Sequence, residues 1–260
     1  MSHDVIRTSR DGEIATVTID RAQKRNCLSL PMWVALGRAL AALSADESLR
    51  AVVIRGAGEE AFCAGADIAA FAQERGTPER EAVYGRELHG AFHAIRSCIH
   101  PTIAACSGWT MGGGMGIATM CDFRVGSPAT RMGIPARNLG IFYAFEEIDP
   151  IMQSVGYAVT AEVLIEGRVF TGEEAFAKGL LSRLVPDGQV HAEAEALARR
   201  IAQGSPLSAR FHKYAMQRLR GDLPITREDR VREESFAYTE DFRNAAQAFL
   251  EKRKPVFRGR

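Results

Sequence analysis

The 260-residue sequence predicts an α/β fold, and three observations support this class. A β-hairpin is indicated at the start, short apolar runs typical of buried strands alternate with segments of helical periodicity, and a glycine-rich stretch connects one such strand to a helix. A chain of this length can bury a sizeable core. Its composition, 46% hydrophobic and 25% charged residues, is ordinary for a globular protein.

Local patterns predict the first elements. Asp11-Gly12 lies between two alternating segments rich in β-branched residues, 5–10 and 13–19, which predicts a hairpin. Pro31 begins a predicted helix with apolar residues at helical spacing. These residues are Trp33, Leu36, Leu40 and Leu43. Residues 51–54 form a continuous apolar run of the kind that a buried strand shows.

Two later stretches pass from a strand through small residues into a helix. The first, 61–68, contains Gly65-Ala66, and the second, 102–120, contains Gly112-Gly113-Gly114. Glycine lacks a Cβ, so backbone N–H groups there can approach a ligand, and a helix N-terminus adds N–H groups with partial positive charge. The glycine spacing fits neither a dinucleotide-binding motif nor a P-loop. If the two turns meet in the fold, one N–H from each can hold a single oxygen, as in an oxyanion hole.

Three segments follow or separate these turns. A helix over about 80–97 has a core-facing apolar stripe and carries His89 on its flank, where a histidine is usually a surface residue. The segment 138–143 is too apolar for an ordinary exposed loop. Residues 180–185 form the best candidate for a late strand.

The last part of the chain is predicted to be helical and heavily charged. It begins near Pro206, and Pro224 is expected at a helix start. Its apolar anchors are Phe236, Phe242, Phe249 and Leu250. Such a tail cannot bury much of itself, so we expect it to pack on the core or on a neighbouring subunit.

Composition narrows the class of partner. A net charge of +1 gives no basis for a nucleic-acid or membrane-surface partner, so a small molecule is expected. Five cysteines without metal-ligand spacing indicate reduced core residues and no metal site. The absence of a leader-like opening and of an apolar stretch of ~20 residues predicts a cytoplasmic protein.

Several separated motifs resemble the crotonase, or enoyl-CoA hydratase/isomerase, superfamily over essentially the whole chain. In chain order they are Asp20-Arg21 to Asn26-Cys27-Leu28-Ser29, residues 61–68, Gly112-Gly113-Gly114, Cys121-Asp122, Gly179-Leu180 and residues 249–255. The resemblance implies a spiral of ββα turns with two roughly perpendicular sheets. It also implies a core over residues 1–203 and a C-terminal helical region over 204–260 that builds homotrimers, often paired into hexamers.

The same resemblance implies a coenzyme A thioester as ligand, with no further cofactor because coenzyme A is part of the substrate. By position, the N–H groups of Ala66 and Gly113 would hold the thioester oxygen. The implied coenzyme A contacts are Lys24, Arg25, Ala64, Asp67, Ile68 and Lys252. Without the resemblance, the basic cluster of Arg21, Lys24 and Arg25 is better explained as a solvated loop.

The sequence departs from the hydratases at both of their catalytic glutamates. Gly116 stands where the first is expected, and Ala136 follows Gly133-Ile134-Pro135 where the second is expected. A general base typically contributes ~10²–10⁴ in rate, so slow or absent crotonyl-CoA hydration is predicted. The sequence itself therefore does not select the reaction.

Three functions remain open at this point. The first is an acyl-CoA enzyme with altered chemistry, such as decarboxylation in a pocket without acids. It rests on Tyr143, because the loop 138–143 is similar to one in methylmalonyl-CoA decarboxylase, although that enzyme has a histidine in place of Ala66.

The second function is that of a hydratase or isomerase with a substitute acid/base group. Its candidates are His89, Glu146 and Glu147, the last two also explicable as acids at a helix start. The third is a non-catalytic acyl-CoA-binding oligomer.

Overall fold

The structure is a computed structural model that describes residues 5–221 and 223–260. Its strands form two sheets. From edge to edge, the larger sheet contains β1 (Val5–Asp11), β2 (Ile14–Asp20), β3 (Ala51–Gly56), β5 (Thr102–Cys106), β7 (Phe123–Gly126) and β10 (Arg183–Leu184). The smaller sheet contains β4 (Ala61–Cys63), β6 (Trp109–Met111), β8 (Arg131–Gly133) and β9 (Val169–Thr171).

Helices surround the sheets and form the C-terminal region. They are α1 (Leu30–Ala45), α2 (Phe71–Glu74), α3 (Pro78–Arg96), α4 (Gly113–Met120), α5 (Phe145–Ala161), α6 (Gly172–Ala177), α7 (Val190–Ala202), α8 (Pro206–Arg220), α9 (Arg227–Glu234) and α10 (Glu240–Leu250). Among the described residues, none of these helices is both long and apolar enough to cross a membrane.

The chain alternates between the two sheets as it advances. β3 of the larger sheet is followed by β4 of the smaller, β5 by β6, and β7 by β8, and at least one helix follows each pair. These successive strands pair in parallel within both sheets, whereas β1–β2 and β8–β9 are antiparallel. The predicted fold of ββα turns with two sheets is confirmed, and so is the opening hairpin.

The larger sheet is buried on both faces. Val52 and Ile54 of β3 belong to the main core with residues of α1, α3 and α4, whereas Ala51 and Val53 pack with α7. Successive side chains of a strand point to opposite faces, so burial on both sides requires an apolar residue at each position. All five cysteines are buried and unpaired, as predicted.

Helix α8 fastens the C-terminal region to the core. The buried Lys213 ammonium donates to the His100 carbonyl at 2.9 Å and pairs with the Asp122 carboxylate at 2.7 Å. Arg210 donates to two backbone carbonyls just before β3. In contrast, α10 exposes Phe249 and Leu250. The tail therefore packs on the core through α8, while the division at residues 203 and 204 stays a prediction.

Two strand predictions need correction. Between β5 and α4 the chain forms the additional strand β6, which pairs with β4 and β8 before the glycine turn begins. The late strand covers only Arg183–Leu184 instead of 180–185. Leu180 and Leu181 are buried in the main core from the turn that precedes the strand, which accounts for the longer apolar run.

The predicted helix start at Pro224 is also wrong. Helix α9 begins at Arg227, where Thr226 serves as the N-cap. The Thr226 hydroxyl accepts the Asp229 N–H at 3.2 Å, and the Asp229 carboxylate accepts the Thr226 N–H at 2.7 Å. This reciprocal cap satisfies free N–H groups of the first turn, so it determines where the helix starts.

Candidate active site

The two glycine-containing turns meet in the structure. A β-carbon placed on Gly65 would lie 3.1 Å from the Gly113 amide nitrogen, and one placed on Gly112 would lie 3.9 Å from the Gly65 Cα. Gly65 has a φ of 97° and Gly112 a φ of 52°, conformations that side chains disfavour. Glycine at these two positions therefore allows both the turn geometry and the close approach of the two backbones.

The amides of Ala66 and Gly113 are available to a ligand. The Leu28 N–H donates to the Gly65 carbonyl and the Asp67 N–H donates to the Leu28 carbonyl, a parallel bridge that directs the intervening Ala66 N–H to the opposite side. Gly113 is the first residue of α4, so its N–H has no acceptor within the helix. Within the described residues neither amide donates a hydrogen bond, and both residues line one cavity.

This cavity has a volume of about 190 Å³ and a mixed lining. Its apolar wall is formed by Trp33, Ile68, Phe71, Leu88, Met111, Ile134, Leu139, Ile141 and Phe142. Its ionisable side chains are Arg75, Tyr84, Tyr143 and Glu147. The cavity is thus small, and four ionisable side chains face a space that also contains the two amides.

Tyr143 lies beside the amide turns, although part of its loop is exposed. Its hydroxyl is 3.8 Å from the position of a β-carbon built on Gly112. Burial raises the pKa of the Tyr143 phenol well above its usual value, so the hydroxyl stays protonated. Phe142 is 94% exposed although it contributes to the rim of the cavity. Ile141 and Tyr143 line the same cavity and are more buried than Phe142.

The structure separates the three candidate acid/base residues. Glu147 lines the cavity and is only 8% exposed, whereas Glu146 is exposed and lies outside the lining. Glu147 Oε2 accepts the Ala144 N–H at 2.9 Å and lies 3.8 Å from His89 Nε2. His89 is partly buried and does not line the cavity. Glu147 therefore caps α5 and also faces the cavity. It fits both the explanation as an acid at a helix start and the explanation as a substitute acid/base group.

Burial raises the pKa of Glu147 above its ordinary value. The Ala144 N–H, His89 and Arg75 favour the charged carboxylate and reduce this increase without cancelling it. This carboxyl can therefore exchange a proton closer to neutral pH than an exposed glutamate. The expectation of a pocket without acids is wrong, because the helix start of α5 turns Glu147 inward.

Phe92 occupies the space that a side chain at Gly116 would need. A β-carbon on Gly116 would lie 2.6 Å from Phe92 Cζ, and Gly116 itself is buried. The Phe92 ring is fixed edge-to-face against Trp33, with centroids 5.5 Å apart. Ala136, in contrast, lines the cavity and is partly exposed.

A second cleft, of about 650 Å³, adjoins the cavity and shares Ala64, Ala66 and Ile68 with it. It is lined by further predicted coenzyme A contacts, namely Lys24, Arg25 and Asp67. Hydrogen bonds of the buried Asn26 side chain fix the conformation of the basic loop. This side chain accepts the Arg21 N–H and donates to the Ala57 and Ala61 carbonyls.

The buried Asp67 carboxylate holds this loop in place. It pairs with Arg21 at 2.8 Å and with Lys24 at 3.2 Å. Arg25 pairs with Glu60 at 2.8 Å. Lys252, the remaining predicted contact, is exposed beyond α10. The coenzyme A roles of all these residues stay predictions.

Sequence reasoning missed three residues that shape the site. Trp33 was predicted in the apolar stripe of the helix that begins at Pro31, and Tyr84 lies in the stripe of the helix predicted over 80–97. In the structure the Trp33 indole lies against Gly113, and its Nε1–H donates to the Tyr84 hydroxyl at 3.0 Å. Arg75 follows the short helix α2 and carries no motif. The polar atoms of Trp33 and Tyr84 within otherwise apolar stripes were the only available signal.

Two amides without acceptors among the described residues lie beside a small cavity and are carried by a ββα spiral, which defines an α/β protein with an oxyanion-hole-like site. The chain matches the family model for enoyl-CoA hydratase/isomerase over residues 9–260. It therefore belongs to the enoyl-CoA hydratase/isomerase family, as the sequence motifs indicate.

Individual relatives match over nearly their full length. A solved structure described as an enoyl-CoA hydratase/carnithine racemase from Magnetospirillum magneticum is 39% identical, with a TM-score of 0.96, covering 100% of this chain and 97% of that chain. The short-chain-enoyl-CoA hydratase of Clostridium acetobutylicum is 29% identical, covering 94% of each chain. The crotonyl-CoA hydratase of Syntrophomonas wolfei is 29% identical, covering 99% of each.

Proposed function

We propose that this protein is an acyl-CoA enzyme of the hydratase/isomerase type that uses Glu147 as its acid/base group. The observation that carries the proposal is the placement of a buried carboxyl in the same cavity as the free amides of Ala66 and Gly113. The names of the relatives support an enoyl-CoA substrate. The adjoining basic cleft supports binding of the coenzyme A phosphates around Lys24 and Arg25.

The amides supply the stabilisation that thioester chemistry needs. Removing a proton from the carbon next to a thioester places negative charge on the thioester oxygen. Two preorganised N–H donors at that oxygen stabilise the enolate, and losing one such donor typically costs ~3–4 kcal/mol. We assign this role to Ala66 and Gly113.

Glu147 would transfer the proton. In a 3-enoyl thioester, the Glu147 carboxylate takes a C2 proton, the electrons move into the dienolate, and the resulting carboxylic acid returns the proton at C4 to give the 2-enoyl product. One carboxyl is enough for this isomerisation, whereas the hydratase mechanism uses two glutamates to hold and activate water. We therefore expect isomerisation to be faster than hydration, with His89 stabilising the carboxylate from 3.8 Å.

Substitution of Glu147 tests the assignment. Glu147→Gln should lower 3-butenoyl-CoA isomerisation by about 10²–10⁴, the usual contribution of a general base. The matched control is Glu146→Gln, which removes the exposed neighbouring carboxyl and should leave the rate unchanged. Product analysis by chromatography measures both isomerisation and crotonyl-CoA hydration. Equal activity of wild type and Glu147→Gln would refute the assignment.

The pH profile gives an independent test. Glu147 must be ionised to accept the proton, so kcat should fall as the pH drops through its raised pKa, at a pH above the ordinary glutamate value of 4.5. His89→Gln removes a group that favours the carboxylate, so it should move this acid limb to higher pH. An acid limb at or below the ordinary value would contradict the role of Glu147.

Decarboxylation keeps one supporting observation, the Tyr143 hydroxyl beside the glycine turn. This function requires that the protein turns over methylmalonyl-CoA and that Tyr143→Phe slows the turnover. The loss should correspond to about 1.5–3 kcal/mol of transition-state stabilisation, as for a hydrogen bond to a charged group. A non-catalytic oligomer would instead bind acetyl-, crotonyl- and malonyl-type CoA esters in calorimetry without turning them over. Failure of all three to bind at millimolar concentration would contradict an acyl-CoA site altogether.

A further inference from the structure

We infer that Arg75 is a specificity-determining residue for short acyl groups that end in a carboxylate. This inference rests on the proposed acyl-CoA site and deepens it by naming the class of acyl group. Arg75 lines the same cavity as the Ala66 and Gly113 amides. It belongs neither to the predicted coenzyme A cleft nor to the acid/base group.

A series of contacts places Arg75 away from the thioester oxygen. The Trp33 ring lies against Gly113, the Trp33 Nε1–H donates to the Tyr84 hydroxyl at 3.0 Å, and the Arg75 guanidinium lies 4.7 Å from the centre of the Tyr84 ring. Arg75 is therefore separated from the Gly113 amide by two aromatic side chains. An acyl group held at the amides would meet Arg75 with its far end.

The guanidinium is held rigidly. It also lies 4.7 Å from the centre of the Phe71 ring, and its Nε and Nη2 atoms donate to the Glu81 carboxylate at 2.6 and 2.5 Å. Its side chain is only 20% exposed, whereas that of Glu81 is 47% exposed. Solvent screens Glu81 more than Arg75, and within the cavity Arg75 also interacts with the Glu147 carboxyl. Within the described residues, Nη1 donates no hydrogen bond and is free for an acceptor.

A plain hydrocarbon chain suits this cavity poorly. Filling its volume of about 190 Å³ with methylene groups would remove water from the free Nη1 of Arg75 and from the Tyr143 hydroxyl without replacing their hydrogen bonds. An unsatisfied buried donor costs about 1–3 kcal/mol, and more when it is charged. A terminal carboxylate would accept a hydrogen bond from Nη1 of Arg75, and the small volume restricts the acyl group to a short chain.

Calorimetry with two thioesters of equal chain length, glutaryl-CoA and valeryl-CoA, tests the inference. Both are saturated, so binding is measured without isomerisation or hydration. Wild type should bind glutaryl-CoA at least about tenfold more tightly than valeryl-CoA, since a hydrogen bond to a charged group is worth about 1.5–3 kcal/mol. Arg75→Met keeps the apolar stem and removes the unsatisfied donor, so it should abolish this preference by weakening glutaryl-CoA binding and tightening valeryl-CoA binding.

Two further variants separate specificity from folding and from net charge. Arg80→Met removes an exposed arginine of the adjoining helix and should leave both affinities unchanged. Glu81→Gln releases Arg75 from its partner and should maintain or increase the glutaryl-CoA preference. Equal binding of the two thioesters by wild type, or an equal loss of both in Arg75→Met, would overturn the inference.

The outcome is distinguishable from failure of the proposed function. If wild type prefers glutaryl-CoA but Glu147→Gln leaves turnover unchanged, Arg75 keeps its role and the acid/base assignment fails. If valeryl-CoA binds without any glutaryl-CoA preference, only the Arg75 assignment is lost. If neither thioester binds, the acyl-CoA site is contradicted and the Arg75 assignment is overturned with it.

Discussion

At the scale of single residues, Gly116 and Ala136, the two positions where the family resemblance places glutamates, differ in their packing. Gly116 is buried against Phe92, which occupies the space where a side chain at 116 would begin. Ala136 lines the cavity and has room for a larger side chain. The resemblance predicts a glutamate at both positions, and the structure adds that a side chain at position 116 would require Phe92 to move.

This difference gives a stability prediction. Gly116→Glu should lower the free energy of unfolding by at least about 2 kcal/mol, because it overpacks the core and buries a carboxyl beside a ring. Ala136→Glu should cost less than about 1 kcal/mol, since its side chain enters a cavity that already contains ionisable groups. Urea unfolding measures both. A Gly116→Glu variant as stable as wild type would show that Phe92 moves freely, contrary to the packing described.

At the scale of elements, sequence patterns predicted what depends on local chemistry. The Asp11-Gly12 hairpin, helix α1 after Pro31 and strand β3 were predicted because turn residues, proline and apolar runs act over a few neighbours. Strand β6 was not predicted, because its three residues are defined by pairing with β4 and β8, which are distant in sequence.

The residues of the site also divide into those that local sequence predicts and those that only the fold brings together. The two small-residue turns were visible in the sequence, because positive φ at Gly65 and Gly112 requires glycine. Arg75 and Phe92 were not visible as site residues, because their roles depend on which helices the fold places around the turns. Glu147 could not be separated from Glu146, since a one-residue offset on a helix start decides which carboxyl turns inward.

The packing of helix α8 on the core depends on the buried side chain of Lys213. Lys213→Met should lower the free energy of unfolding by about 3 kcal/mol, because it leaves the Asp122 carboxylate without its buried cation. The control is Arg230→Met, which removes an ion pair with Glu233 at the surface and should cost less than about 0.5 kcal/mol. Similar effects of the two variants in chemical denaturation would contradict the role given to Lys213.

At the scale of the whole molecule, the C-terminal region carries large apolar side chains that the described residues, 5–221 and 223–260, leave exposed. Its exposed large residues include Val231, Phe236, Tyr238, Phe249, Leu250 and Val256. We propose that copies of this chain associate through these side chains, in line with the trimers that the sequence motifs lead us to expect. Phe249→Glu combined with Leu250→Glu should convert a trimer or hexamer into monomers in sedimentation equilibrium. A monomeric wild type at micromolar concentration would contradict this proposal.

Acid should destabilise the folded chain through His100. Burial and the nearby Arg210 lower the pKa of His100 from 6.5 to about 4, so the folded state favours the neutral ring. The unfolded chain binds the proton first, so stability is complete above pH 6.5 and is lost as the pH falls towards 4, by up to about 1.4 kcal/mol per pH unit. His100→Phe should flatten this decline in thermal unfolding, and an unchanged slope would exclude His100 as its cause.

The central claim is that the Ala66 and Gly113 amides and Glu147 together form an enolate from an acyl-CoA thioester. Deuterium incorporation at C2 of butyryl-CoA in heavy water, followed by NMR, measures this step directly and does not depend on the final product. Wild type should exchange the C2 protons, and Glu147→Gln should slow the exchange by about 10²–10⁴. No exchange with wild type under conditions where calorimetry shows the thioester bound, or equal exchange with Glu147→Gln, would contradict the claim.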